Sequence, residues 1–317
     1  MPRVSSDSEL EAALASNRPA ILRHCYRMVA NLAEAEELTQ DALERAWNAR
    51  DTFKGDAPVG HWLMRIATNA CLNALARKKR RALPRLENPA ATSYEFGRGE
   101  PERWLAPAPD ALLFPHGPFA RSPEQLLETK ESVALAFLEL LQRLSAKQRA
   151  ALLLKDVAGW SAEEISEALD LSVSAVNSAL HRAREMKPPA TPRSDAPASS
   201  TVAAFVDAWE TRDLEALVAL LKRDVVLSMP PYPAWFQGVE SVSGFFQSAR
   251  FASFWSSLVR VTPTEANGLR AFLFQLDGAP PRPHSVMLVR FERERVAEMV
   301  TFVGEAYFEP FCRVPAA

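Results

Sequence analysis

Two proline-rich interruptions decide how this chain can fold. One spans 82–122 and includes "LENPAATSYEFGRGEPERWLAPAPDALLFPHGP"; the other, "KPPATPRSDAPASS", runs from Lys187 to Ser200. Proline fixes its backbone and lacks an amide donor, so neither stretch continues a helix or a central strand. The 317 residues therefore divide into segments over 1–81, 123–187 and 201–317, joined by a Pro-rich linker over 82–122 and a flexible linker over 188–200. At 48% hydrophobic residues, the chain has ample apolar material for a core in each segment.

The middle segment contains "SAEEISEALDLSVSAVNSALHRAR", Ser161 to Arg184. Ser161 followed three residues later by Glu164 is a capping box, and Ile165, Ala168 and Leu169 then share one helical face. Asp170-Leu171-Ser172 breaks the helix, and Ser172 or Ser174 caps a second one carrying Val173, Val176 and Leu180 inward. Its other face presents Ser174, Asn177, Ser178, His181 and Arg182, side chains able to reach base edges or phosphates from a major groove. The layout is that of a helix-turn-helix; an ordinary amphipathic hairpin has the same spacing.

In the first segment, the stretch from Ala33 to Phe53 puts Leu38, Ala42, Leu43, Ala46 and Trp47 on one stripe, with Glu36, Glu37, Gln40, Asp41 and Glu44 outside. Pro58 suits the first turn of a further helix, which carries Trp62, Leu63, Ile66 and Ala67 into the basic run Arg77 to Arg81. Trp62 with the polar Thr68 and Asn69 forms a mixture suited to nucleic-acid backbone and unstacked bases, although Trp62 reads equally well as a core residue.

Together these motifs resemble a family. "AEAEELTQDALERAWNARDTFKGDAPVGHWLMRIATNACLNALARKKRR" resembles region 2 of bacterial sigma factors of the extracytoplasmic-function type, and "LSAKQRAALLLKDVAGWSAEEISEALDLSVSAVNSALHRAREM" is similar to their region 4. The resemblance implies a transcription initiation factor that binds core RNA polymerase, at its clamp helices and flap, and recognises promoter DNA. Glu36, Glu37, Gln40 and Asp41 match the helix that docks on the clamp. Lys54 to His61 matches the loop that captures a flipped base of the minus-ten element. Trp62, Arg65, Thr68 and Asn69 match the helix beside it, with the basic run including Arg77, Lys78 and Lys79 on the backbone. Ser174, Asn177, Ser178, His181 and Arg182 match the minus-thirty-five reader, though many relatives carry basic residues where this chain has Asn177 and Ala179. In relatives the tether between the two regions is shorter and threads the polymerase channel. Trp104-Leu105 and Leu112-Leu113-Phe114 are then anchors either there or on the protein's own surface.

A near balance of 37 Lys+Arg against 39 Asp+Glu suits this reading, because the polymerase shares the neutralisation of phosphate. Cys25, Cys71 and Cys312 are far apart in apolar-rich stretches and are expected as buried free thiols, with no metal-ligand spacing and no cofactor implied. The polar N-terminus and the lack of an apolar run near eighteen residues imply a cytoplasmic protein without a membrane partner.

Beyond Ser200 the pattern changes to two helices over Thr201 to Leu221, with Phe205, Trp209, Leu214, Leu217, Val218 and Leu221 inward. Strand-like runs follow around Asp224–Met229, Ala271–Gln275, Ser285–Phe291 and Val296–Phe302. Helices followed by a strand meander make an α+β pattern. The stretch opening "FVDAWETRDLEALVALL" resembles the SnoaL-like, or nuclear-transport-factor-two-like, family, which implies a curved sheet around a conical pocket. The expected fold is thus multidomain: all-α sigma regions 2 and 4 plus a C-terminal α+β cone. Members of that superfamily include isomerases using Asp, His or Tyr in an apolar cone; the candidates here are Tyr232, Asp277 and His284, each more readily a surface or hydrogen-bonded residue. No catalytic residue is assigned. The C-terminal domain is expected to regulate the sigma factor in cis, with Tyr232, Trp235 and Phe236 of "MPPYPAWFQG" as pocket rim or interdomain contact. The alternative is a ligand-sensing or enzymatic pocket whose output is the DNA-binding module.

Overall fold

The computed structural model describes residues 7–53, 55, 57–76, 81–95, 97–115, 133–185 and 194–314. They form two compact units, one from 1–81 and 112–190, the other from 82–111 and 191–317.

Among the described residues the first unit is helical, without a strand. Helices α1 (Asp7–Val29), α2 (Leu32–Asn48) and α3 (Val59–Leu75) pack around Leu22, Cys25, Tyr26, Ala35, Ala42, Leu63 and Cys71, all buried. Asn31 starts α2, its Oδ1 accepting the Glu34 amide at 3.0 Å. Helices α4 (Leu135–Arg143), α5 (Ala146–Leu152), α6 (Ala162–Leu169) and α7 (Val173–Glu185) complete the unit. The Ser161–Glu164 capping box is present in both directions, at 2.7 and 3.1 Å. Asp170 adopts the left-handed conformation (φ 49°) that ends α6, and Ser172 rather than Ser174 caps α7, accepting the Ala175 amide at 3.1 Å.

The second unit is α+β. Helices α8 (Ser199–Glu210) and α9 (Leu214–Ala219) precede a six-stranded sheet: β1 (Leu221–Ser228), β2 (Trp235–Gln237), β3 (Leu258–Ala266), β4 (Leu269–Leu276), β5 (Arg282–Glu292) and β6 (Arg295–Val303). Its order is β2-β1-β6-β5-β4-β3, with β1 and β6 parallel and every other pair antiparallel. Between β2 and β3, helices α10 (Val239–Gln247) and α11 (Ala249–Ser257) cover the cone, and α12 (Glu305–Cys312) follows β6. Phe205, Trp209, Leu217 and Leu221 are buried as expected, whereas Leu214 and Val218 are half-buried. Cys25 and Cys71 are buried, but Cys312 is exposed at the end of α12, contrary to expectation.

Residues 82–111 have little regular structure, yet they belong to the fold of this second unit. Ala82 bridges Trp104, and the Leu105 amide donates to the Ala82 carbonyl at 3.0 Å. The Trp104 indole is 1% exposed and donates to the Pro231 carbonyl at 2.7 Å, a carbonyl that also accepts the Glu100 amide at 3.0 Å. Trp235 Nε1 donates to Asn88 O at 2.9 Å, and the Ala91 amide returns to Trp235 O at 2.8 Å. Asn267 and Gly268, both at positive φ, make the tight β3–β4 turn and accept or donate to Ala108 and Asp110. The linker after α7 is likewise partly held: Asp195 N donates to Phe291 O at 2.9 Å and Ser194 Oγ accepts the Phe291 amide at 3.1 Å; residues 186–193 lie outside the described residues.

Candidate nucleic-acid interface

On α7, Val176, Ala179, Leu180 and Ala183 face the core, which leaves Ser174, Asn177, Ser178, His181 and Arg182 exposed together on the opposite face. His181 Nε2 stands 3.3 Å from Glu185, while Arg184 is tied to Asp156 at 2.6 Å. Arg184 is thereby engaged in the unit's own packing.

On α3 the 3.6-residue period separates the minus-ten candidates. Arg65 and Asn69 are exposed, and Trp62 is half-buried with its ring centroid 5.0 Å from that of Phe53. Thr68 corrects the expectation of a reading residue. It is buried, its hydroxyl donating to Met64 O at 2.7 Å and lying 2.9 Å from His24 Nε2. Since that hydroxyl proton is already given to Met64, His24 is the donor and carries its proton on Nε2. Burial, with Arg27 adding to it, lowers the His24 pKa to about 3, so it is neutral. Lys54, Arg77, Lys78 and Lys79 lie outside the described residues.

The N-terminal end of α3 meets the start of α6 within the same unit. The His61 ring stacks on Trp160 (4.8 Å, 20°), and its Nδ1 is 3.4 Å from the carboxylate of Glu164. Glu164 is held below the usual carboxylate range first by the Ser161 amide, with His61 contributing. Phe53, His61, Trp62 and Arg65 share a hollow of about 250 Å³ with Trp160, Glu164 and Glu167. Deeper in, Arg149 of α5 is 4% exposed. It donates to Leu141 O at 2.8 Å, to Leu144 O at 3.4 Å, and to Met28 O at the end of α1. Burial lowers its pKa to about 10, so it stays charged. Arg81 caps the neighbouring carbonyl, Val29 O, at 2.7 Å and pairs with Glu34 at 2.9 Å. The C-terminus of α1 is thus closed by two cations, one from each helical segment.

Along α2, Glu37 and Gln40 are exposed, and Glu36 and Asp41 are half-buried. Asp41 accepts from Arg45 at 2.8 Å and Gln40 donates to Glu44 at 2.9 Å. Leu43 and Trp47, expected to face inward, are only half-buried, and they line a shallow hollow of about 330 Å³ with Leu14, Gln40 and Glu44. This face is therefore acidic with an apolar floor.

Residues 14–81 match the Sigma-70 region 2 family, 134–186 match Sigma-70, region 4, and 202–302 match the SnoaL-like domain. The ECF RNA polymerase sigma factor SigG of Mycobacterium tuberculosis is 36% identical over 305 residues, covering 93% of this chain and 81% of the relative. The chain belongs to the ECF RNA polymerase sigma factors. SigW of Bacillus subtilis, another such factor, is 30% identical over 165 residues, covering 52% of this chain and 79% of its own. The crystal structure of the M. tuberculosis sigma factor SigJ superposes with a TM-score of 0.61 at 18% identity, covering 97% of this chain and 100% of that one, which shows the same fold. As a sigma factor this protein works with RNA polymerase and promoter DNA, directs promoter recognition and transcription initiation, and carries a SnoaL-like domain behind regions 2 and 4. No helix among the described residues is long and apolar enough to cross a membrane.

In the SnoaL-like domain of this sigma factor, Tyr232 and His284 line the cone, while Asp277 does not; Asp277 sits in the β4–β5 loop, where its carbonyl accepts from Arg282 at 2.9 Å. His284, expected near solvent, is half-buried, and burial lowers its pKa to about 4. Phe236, expected at a rim or contact, is in the core, stacked on Phe245 at 4.9 Å and 19°. Its strand β2 alternates, so Trp235 and Gln237 face away from that core while Phe236 fills it. Arg149, His24 and the Trp104–Pro231 contact were not anticipated from sequence. Arg149 and His24 show no local pattern, whereas the Asn267-Gly268 pair was a readable hairpin signal.

Proposed function

We propose that this sigma factor rests with the His61–Trp62 end of its minus-ten reading surface packed on region 4, and that the SnoaL-like domain regulates it in cis by holding the segment between regions 2 and 4. The observation that carries the reading is the docking of Trp104 and its neighbours on the Pro231–Trp235 loop within one compact unit. In relatives this tether threads the polymerase channel, and a tether bound to the protein's own domain is withheld from it. Glu36, Glu37, Gln40 and Asp41 contact the clamp helices, and the exposed Arg65 and Asn69 read the minus-ten element, joined by His61 and Trp62 once the His61–Glu164 contact opens. Ser174, Asn177, Ser178, His181 and Arg182 face the minus-thirty-five element. We assign no reaction to the cone: among the described residues that line it there is no carboxylate to form an acid–base pair with Tyr232 or His284. The test is run-off transcription with core polymerase, comparing wild type with Trp104→Ala and Trp235→Ala in the full chain. Output from the variants rises several-fold if the docked tether restrains the factor; equal output and equal core affinity across a range of salt would remove the cis reading.

A further inference from the structure

Residues 91–100 run along the C-terminal unit between two backbone bonds, from the Ala91 amide to Trp235 O at 2.8 Å and from the Glu100 amide to Pro231 O at 3.0 Å. Of the described residues between these bonds, only Tyr94 and Gly99 are drawn in from solvent, both half-buried. The Tyr94 ring rests on two core rings, 5.7 Å and 48° from Phe236 and 6.1 Å and 53° from Phe245, tilted geometries that aromatic pairs favour. Against its hydroxyl lies Gly244, in the middle of α10. Glycine weakens a helix interior relative to alanine, and this one has no left-handed backbone to justify it. Its neighbour does. A Cβ at Gly244 would collide with Tyr94 Oη and stand 3.0 Å from Tyr94 Cζ, so the ring occupies the space of the missing methyl.

The same fit recurs with the roles exchanged. Gly99 belongs to the tether, and a Cβ there would stand 2.7 Å from Pro231 Cγ and 3.2 Å from Pro231 Cβ. Pro231 is buried, its ring is rigid, and its carbonyl accepts both the Trp104 indole and the Glu100 amide, so it is poorly placed to move aside. Gly97, two residues earlier in the same segment, faces open space, with nothing within 4 Å of where a Cβ would stand. The tether thus enters the domain at Gly244, and the domain enters the tether at Gly99. A methyl added to a notch that is already filled displaces its occupant, because close-packed groups do not compress.

We propose that these two notches form a steric lock on residues 91–100, with Tyr94 as its key. The ring seated at Gly244 and Pro231 seated at Gly99 hold the segment, and a methyl at either glycine releases it while the domain beneath stays folded. No charged side chain enters either notch, so the protection they give does not depend on salt. The lock concerns how the segment is held; its bearing on transcription rests on the cis restraint proposed above.

Native-state hydrogen exchange of the full-length protein tests it, with run-off transcription measured beside it. Gly244→Ala speeds exchange at the Ala91 amide roughly tenfold or more, and Gly99→Ala does the same at the Glu100 amide, while the amides of β5 and β6 hold. Gly97→Ala, the control in open space, changes either amide by less than about twofold. Tyr94→Phe deletes the oxygen that the methyl at Gly244 strikes and leaves the 3.0 Å contact, which a shift of a few tenths of an ångström relieves. Added to Gly244→Ala, it therefore restores most of the lost protection, a rescue that a simple change in helix stability does not give. Unchanged exchange at Ala91 in Gly244→Ala, absence of rescue by Tyr94→Phe, Gly97→Ala as disruptive as Gly99→Ala, or loss of protection throughout the sheet would each overturn the lock. Faster exchange at Ala91 with unaltered transcription keeps the lock and removes the cis restraint instead.

Discussion

Replacing Trp104 by Ala removes the largest side chain that ties residues 82–111 into the C-terminal unit. The indole is 1% exposed, its N–H donates to Pro231 O at 2.7 Å, and the Arg103 guanidinium lies 5.1 Å from its ring. Truncating a buried tryptophan costs about 3–5 kcal/mol, including the lost hydrogen bond. The half-buried, solvent-contacting Arg103 contributes little to that sum. A cost of about 3 kcal/mol, applied locally, raises the opening equilibrium of the segment roughly 150-fold. The reporters are the amides of Leu105, Glu100 and Ala91, which donate to Ala82 O, Pro231 O and Trp235 O at 3.0, 3.0 and 2.8 Å. Native-state hydrogen exchange should accelerate at these amides by two orders of magnitude while those of β5 and β6 hold. Unchanged exchange at all three would refute the reasoning. So would equal acceleration throughout the sheet, because the segment would then be an inseparable part of the domain rather than a releasable tether.

Other outcomes are expected. Changing Glu37, Gln40 and Asp41 together to Ala weakens affinity for core polymerase in a folded protein, measured by pulldown or surface binding, since Glu37 and Gln40 are exposed, Asp41 is half-buried and none belongs to the buried core of α2. Asn177→Ala relaxes base preference at one position of the minus-thirty-five element by about 1–3 kcal/mol in a promoter-variant scan, the worth of a bidentate amide contact. Acidification destabilises the first unit through His24: its folded pKa of about 3 lies below the ordinary value of 6.5, so between these the unfolded chain binds more protons and stability falls as pH falls. Between pH 6.5 and pH 5 that is about 2 kcal/mol, and urea unfolding of His24→Gln should show a correspondingly flatter pH dependence. Arg149→Met leaves the Met28, Leu141 and Leu144 carbonyls without their cation; small-angle scattering and the distance between labels on α2 and α7 should report a looser pairing of regions 2 and 4.

The helical part of the fold was legible because its signals are local. The Ser161–Glu164 box, the Asp170 break and the exposed row from Ser174 to Arg182 all repeat at a spacing a single helix imposes. Four of the six strands were readable from apolar alternation, while β2, with three residues, and β3, whose "VRVTPTEA" is largely polar, were not. Helices α10 and α11 also escaped notice. Thr68 was misplaced because its neighbour Asn69 faces solvent: one residue is about 100° around a helix, and a polar side chain bonded to its own backbone is compatible with the buried face. Least legible were contacts whose partner is a bare carbonyl, as at Trp104 with Pro231 and Arg149 with Met28, since a backbone oxygen carries no sequence signature.

The C-terminal unit is discontinuous, taking residues 82–111 from ahead of region 4 and the remainder from behind it. On the ribosome this imposes an order of events. Regions 2 and 4 are complete while the partner of the tether is still unmade, and Trp104 precedes Pro231 by 127 positions. At roughly 5–20 residues per second that interval lasts about 6–25 s. Each newly made molecule therefore passes through a period in which its tether has no sheet to dock on. Slowing translation after codon 186 lengthens that period, and under the cis restraint proposed above synthesis rate itself becomes an input to how much unrestrained sigma factor the cell contains.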